Sequence, residues 1–303
     1  MNEMNLTANA ATIPKVAKLS DKALLVKLTV RRAALVKNDK ALSAKIQASE
    51  GDTSLKVTTE LFRDKTQPIA QIMQAVNEVY KYHTENTLPY EDAGPRLLPA
   101  NNYFEYTTDI RAKIATVDAL QAKWMPLYDQ LVLADIAYRN QGTVKRACAA
   151  DYPSAADFQS RMGLELTFKP LPDEEHPLFD LNDEDKASFT NSLHHTEVQA
   201  RNDVIGRMLK PLEYLVNRLG EYTGAKGQRF HQSTLENVLD GCKMARKLAI
   251  DAAPELIAEI AELERVVKGY VFNVEGIKSD EDTRAAAKAK LEVATAKLND
   301  YFA

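Results

Sequence analysis

The chain reads as a mainly α-helical protein, with long antiparallel helices in a bundle and a small two-stranded sheet. Three observations predict this. Glycine is scarce, 11 in 303 residues, while alanine, leucine, lysine and glutamate are abundant, which favours helix. Apolar residues recur three and four apart through most of the chain. Only two short runs switch to the alternation of a half-buried strand.

Residues 1–19, opening MNEMNLTANAATIP, read as a polar tail with no basic segment leading into an apolar core, so no secretory signal is expected. Residues 20–172 read as a helical domain with the small sheet. In it Leu24, Val26, Leu28 and Val30 alternate with Leu25, Lys27, Thr29 and Arg31, and Leu164, Leu166 and Phe168 repeat the pattern before Pro170. A helical stripe runs from Leu55 through Phe62, Ile69, Met73, Val76 and Tyr80 to His83, with Pro68 marking a kink or a helix start. Residues 84–102 hold three prolines and a glycine, too broken for a helix. Residues 170–185 carry seven acids and no base, and 173–185 read as an acidic, proline-rich linker.

Residues 186–303 form the long-helix region. A stripe from Phe189 through Leu193, Val204, Met208, Leu212 and Leu215 to Leu219 predicts one helix of more than about 30 residues, roughly 45 Å. Ser233 with Glu236 is a capping-box signal, and Pro254 suits a first helical position. Leu256, Ile260, Leu263, Val267, Tyr270 and Val274 form a heptad-like seam, Gly276 reads as a stop, and Ser279 with Asp282 as a new start. Leu291, Ala294, Leu298 and Tyr301 repeat the spacing. The two seams predict a C-terminal helical hairpin, which packs on its own domain or against a second copy. The seam suggests self-association, and a homo-oligomer is expected.

Composition excludes several classes. No uncharged apolar run approaches the span of a bilayer, so no membrane partner is expected. The cysteines, Cys148 and Cys242, sit in helix-like contexts without metal-ligand neighbours, which fits a reducing cytoplasm. His194 and His195 are adjacent, about 100° apart on a helix, and lack the spacing of a zinc site. His83 on its apolar stripe reads as a core or boundary residue. Gly220, Gly224 and Gly227 around Lys226 lack the Gly-Lys-Ser/Thr ending of a phosphate loop. No nucleophile elbow or metal set stands out, so neither an enzyme nor a cofactor is expected.

The informative feature is where positive charge collects. The chain is net −4, yet residues 15–45 hold nine bases, Arg31, Arg32 and Lys37 among them, against two acids. Residues 201–247 hold nine bases against five acids. There Arg207, Lys210, Tyr214 and Arg218 fall on one helical face, opposite Met208, Leu212, Leu215 and Leu219. A glycine-containing loop with Lys226, Arg229 and Phe230 follows. Spaced bases neutralise phosphates and exposed aromatics stack on unpaired bases, which is how single strands are held without sequence readout. Tyr214 reads equally as a boundary residue, and Phe230 as a hydrophobic staple for the helix at Ser233. A second cluster, with Tyr82, Tyr90, Arg96, Tyr103, Phe104 and Tyr106, is either a stacking platform or a loop packed on the bundle.

Two stretches, TLPYEDAGPRLLPANNYFEY and DYPSAADFQSRMGLELTFKPLP, carry a resemblance. Through Leu88, Pro89, Gly94, Arg96, Leu97, Leu98, Pro99, Tyr103, Asp151, Tyr152 and Pro153, the chain resembles the Drc-type single-stranded-DNA-binding transcription regulators of podoviruses over about residues 20–185. The resemblance implies a helical fold, preference for single-stranded DNA and a place in a phage transcription programme in the host cytoplasm. The expected function is non-catalytic binding of single-stranded DNA in phage transcription or replication. The bases named above would hold phosphates, and Tyr214, Phe230, Tyr82 and Tyr90 would stack. The alternative is an assembly protein docking a phage ATPase or the phage or host RNA polymerase through the aromatic loop.

Overall fold

The computed structural model describes residues 19–64, 66–90, 94–142, 146–172, 182–250 and 253–301. The N-terminal tail through Lys18 and most of the acidic linker, residues 173–181, lie outside them. The fold is mainly α, and the chain divides into two compact units.

One unit comprises Leu25–Leu98 with Asn102–Lys169. Following α1 (Leu19–Lys22), a single turn grouped with the other unit, the predicted strand forms as β1 (Ala23–Arg31). It is the central strand of a three-stranded sheet, between β4 (Arg96–Pro99) and the second predicted strand, β5 (Gly163–Pro170). Leu28, Val30, Leu164, Leu166 and Phe168 turn one face of that sheet onto the core. A pair the alternation did not announce, β2 (Val36–Asn38) and β3 (Thr58–Glu60), is antiparallel with Lys37 opposite Thr59. Between them runs α2 (Lys40–Glu50), capped by Asp39, whose carboxylate accepts from the Leu42 N–H, and ended by Gly51 at φ 70°.

The helix predicted from Leu55 begins later. Residues 55–64 are strand and loop, and α3 (Pro68–Glu85) starts with Pro68 in its first turn, where a missing N–H costs nothing. Its buried residues Ile69, Ile72, Val76, Val79 and His83 pack on α4 (Tyr103–Trp124), and α5 (Tyr128–Arg139) and the short α6 (Ala155–Ser160) complete the layer. At the centre Phe62 lies 5.3 Å from Tyr152, 6.0 Å from Tyr128 and 6.2 Å from Phe158, ring to ring. Phe62 sits at φ 51°, a left-handed conformation that costs about 1–2 kcal/mol without glycine. The aromatic cluster holds it there. So does Asp135, fully buried, whose Oδ2 accepts from the Phe62 N–H at 2.8 Å and the Tyr152 hydroxyl at 2.5 Å.

The other unit is built from α7 (Asp183–Glu221), α8 (Ser233–Leu248), α9 (Pro254–Phe272), α10 (Val274–Ser279) and α11 (Glu281–Asn299). The long predicted helix is α7, 39 residues, and it packs on both α8 and α11. Pro211 lies inside it and has no N–H for the Arg207 carbonyl. Gly241 of α8 approaches that carbonyl: a Cβ there would sit 3.1 Å from it and 3.4 Å from the Met208 Cα.

Three boundary expectations are corrected. Ser233 opens α8 but does not cap it, the preceding Gln232 instead reaching Glu236 at 2.8 Å. Gly276 does not stop a helix but lies inside α10, and Asp280 caps α11 by accepting from the Thr283 N–H. Cys148 is exposed in extended backbone, whereas Cys242 is buried in α8, its thiol pushed up to about 11 by that burial.

The C-terminal seams are taken up within this unit. Leu256, Ile260, Leu263, Val267, Leu291 and Leu298 are buried, α9 packing on α8 and α11 on α7. Glu264, nearly buried, ties α9 to α8 through Arg246 and also pairs with Lys268 at 2.7 Å. No helix among the described residues is long and apolar enough to cross a membrane.

Candidate nucleic-acid interface

The residues read from sequence as DNA contacts fall on both units. In the first, Arg31 ends β1 exposed, its guanidinium against Gly163 of β5, where a Cβ would lie 2.9 Å from Nη2. Arg32, also exposed, places its guanidinium 5.9 Å from the ring centroid of Tyr80. Tyr80 itself is 51% exposed, although the apolar period assigned it to the core. Lys37 is not free: it donates to Asp151 Oδ1 at 2.9 Å.

Tyr82 is corrected. One ring face stacks on Tyr106, 6.0 Å away at 18°, the Lys113 ammonium stands 5.3 Å from its centroid, and its hydroxyl donates to Asp109 at 3.0 Å. Burial, then the bond to Asp109, raise its hydroxyl pKa, and the ring is half-buried and engaged by Tyr106 and Lys113 rather than freely exposed. Tyr90 is half-buried. His83 is a core residue, 3% exposed, with Nδ1 2.6 Å from the Tyr106 hydroxyl, and burial, assisted by the Arg96 charge, lowers its pKa to about 4.

The motif residues of the two familiar stretches are structural. Leu88 and Leu97 bridge backbone to backbone and are fully buried, and Arg96 Nε donates to the Thr87 hydroxyl at 2.7 Å. Asp151 holds Lys37 and stands 3.7 Å from Arg139. Burial opposes ionisation of Asp151, but the Lys37 hydrogen bond, the Cys148 N–H and the two cations together hold its pKa below the usual carboxylate range. Tyr152 serves Asp135, and the Pro153 carbonyl accepts from Tyr128 at 3.0 Å.

In the second unit the α7 stripe forms on the face opposite the buried Met208, Leu212, Leu215 and Leu219. Its members differ in availability. Arg207 is part-buried and paired with Asp203 at 2.8 Å. Lys210 is exposed, and Tyr214 is 59% exposed, with Glu213 alongside. Arg218 is half-buried, donating to the Arg229 carbonyl at 2.8 Å and pairing with Glu221 at 3.5 Å. It therefore fastens the 222–232 loop to α7. Gln228 Oε1 tightens that loop by accepting from the Thr223 N–H at 2.8 Å and hydroxyl at 3.0 Å.

Phe230 is the second correction. It is 4% exposed and packs 5.7 Å from Tyr222, whose ring also lies under the Arg284 guanidinium. The loop buries its aromatic and presents its cations: Lys226 and Arg229 are exposed and make no ion pair among the described residues. The exposed members that remain are Lys210 and Tyr214 on the helix, with Lys226 and Arg229 on the loop that Arg218 fastens to α7.

Sequence reading missed Tyr80, which its period hid, and four residues around a hollow in the first unit: Lys40, Arg63, Tyr138 and Arg146. They come from segments some eighty residues apart, so no local spacing could have joined them. Among the described residues no three metal-ligating side chains cluster. No protein-family profile, curated protein or solved structure matches the chain.

Proposed function

We propose that the protein is a non-catalytic binder of single-stranded DNA, acting in phage transcription or replication, with the α7 stripe and its loop as the contact. The observation that carries this is the pairing of Tyr214, 59% exposed, with Lys210 one turn before it and a fastened loop that offers Lys226 and Arg229. Leaving a tyrosine ring in water on a rigid helix has no folding benefit, whereas a base stacking on it is worth about 1–3 kcal/mol. The resemblance in residues 20–185 supports the same class of ligand.

Fluorescence anisotropy with matched single- and double-stranded oligonucleotides at two salt concentrations tests the reading. Single strands bind preferentially and more weakly in high salt. Tyr214→Ala lowers affinity about tenfold or more without changing the melting temperature. Absence of single-strand binding at low salt refutes it.

A second reading is favoured by Phe104, 79% exposed in the aromatic segment. In it the protein docks a phage ATPase or an RNA polymerase. Lys210→Glu with Arg229→Glu abolishes function in the first reading and leaves it intact in the second.

A further inference from the structure

The 25–169 unit carries an open hollow of about 1220 Å³ between the β2–β3 pair, the start of α2 and the end of α5. Five bases and three acids line it, and the acids are largely engaged. Asp39 caps α2, and Asp151 is held between Lys37 and Arg139. Glu60 faces Arg63 only loosely, at 3.8 Å with both side chains mostly in solvent. Lys40 and Arg146 are exposed and make no ion pair among the described residues. On the wall Tyr138 is 42% exposed.

The hollow's floor is rigid. Arg139 Nη1 donates to the Tyr152 hydroxyl at 2.9 Å, and that hydroxyl to the buried Asp135. Lys37 and Arg139 are thus fixed, while Lys40 and Arg146 make no ion pair among the described residues and Arg63 is held only loosely by Glu60. An excess of cations with few enclosing apolar side chains suits phosphates rather than an apolar small molecule, and the volume exceeds the about 300–1,000 Å³ of ordinary small-ligand pockets. A flexible polyanion with separable bases fits both features: its phosphates meet the rim, and one base meets Tyr138.

We propose that this hollow is a second contact for single-stranded DNA, holding a short run of backbone phosphate on Lys40, Arg63 and Arg146 with one base stacked on Tyr138. The inference rests on the single-strand reading above but uses none of the same residues. The test is photocrosslinking of the full chain to an oligothymidylate carrying iododeoxyuridine, with the crosslinked peptides identified by mass spectrometry, beside anisotropy titrations of Lys40→Glu/Arg146→Glu. Both substituted side chains are exposed, and circular dichroism verifies that the variant folds. The expected result is a crosslink at Tyr138, an affinity reduced about tenfold and a log–log salt slope shallower by about 1.4. Crosslinking at Tyr214 alone, with the variant binding like the parent, overturns this inference and leaves the α7 reading standing. No crosslink and no binding by the parent overturns both.

Discussion

Asp135→Ala removes the acceptor on which the centre of the 25–169 unit converges. Asp135 is completely buried, and its Oδ2 takes hydrogen bonds from the Phe62 N–H at 2.8 Å and the Tyr152 hydroxyl at 2.5 Å. Hydrogen bonds to a charged group contribute about 1.5–3 kcal/mol each, and a donor left buried without a partner costs a similar amount. Against that, removing a buried carboxylate recovers its desolvation penalty, and Oδ1 has no hydrogen-bond partner among the described residues. The balance is a loss of about 3–4 kcal/mol, because the Phe62 backbone, already at φ 51°, then lacks its restraint. Tyr152→Phe removes its bond to Asp135 and the one it accepts from Arg139 Nη1 but leaves the Phe62 N–H bond in place, and is expected to cost less than the alanine variant. Trp124 is the single tryptophan of the chain and lies in this unit, so its fluorescence in urea reports this unit's unfolding. With slopes of about 1–3 kcal/mol per molar, the alanine variant's midpoint falls by more than about 1 M. A shift under about 0.3 M refutes the assignment of Asp135 as the keystone.

Acid weakens the same unit through His83. Its pKa, lowered from 6.5 to about 4, means that the unfolded chain takes up a proton more readily than the native one. The stabilisation is therefore complete above about pH 6.5 and lost as pH falls towards 4, about 3 kcal/mol in all. Urea titrations of Trp124 fluorescence across that window show the loss, and His83→Gln abolishes this component. Arg218→Gln lowers DNA affinity without changing the salt slope, since Arg218 positions the loop through the Arg229 carbonyl, whereas Lys210→Gln makes the slope shallower by about 0.7. Equal changes in slope for the two variants would make Arg218 a phosphate contact instead.

The helical class and both sheet strands could be read in the chain because their causes are local. Period 3.6 marks α7 from Phe189 to Leu219, while its first residues, from Asp183, read as part of the acidic linker, and period 2 marks β1 and β5. The short β2, β3 and β4 were not legible, since three or four residues cannot display a period and their pairing is tertiary. The α7 stripe was legible for the same reason as the helix. What sequence could not supply was the fate of each side chain on it. Phe230 and Tyr82 look like exposed aromatics until Tyr222 and Tyr106 are found against them. Tyr80 looks like core until the helix's register turns it out under Arg32. The hollow was invisible because its rim is assembled from residues 37–63 and 138–151.

Pairing also changes what a count of bases means. On the α7 surface the sequence supplies five, Arg207, Lys210, Arg218, Lys226 and Arg229, which as phosphate contacts imply a log–log salt slope of about −3.5 for a single strand. Asp203 holds Arg207, and Glu221 with the loop carbonyl holds Arg218, which leaves three and a contribution of about −2. The paired arginines act before any ligand arrives: each anchors backbone or neutralises an acid that would otherwise repel a phosphate. The same division runs through the hollow, where Lys37 and Arg139 are fixed on Asp151 while Lys40 and Arg146 make no ion pair among the described residues. In the single-strand reading, cations that build the surface and cations that would meet the ligand are thus different residues of the same type. Their separation is energetic, since exchanging Asp203 for a phosphate gains Arg207 no net charge pair. Salt dependence, rather than affinity, is the quantity that distinguishes them.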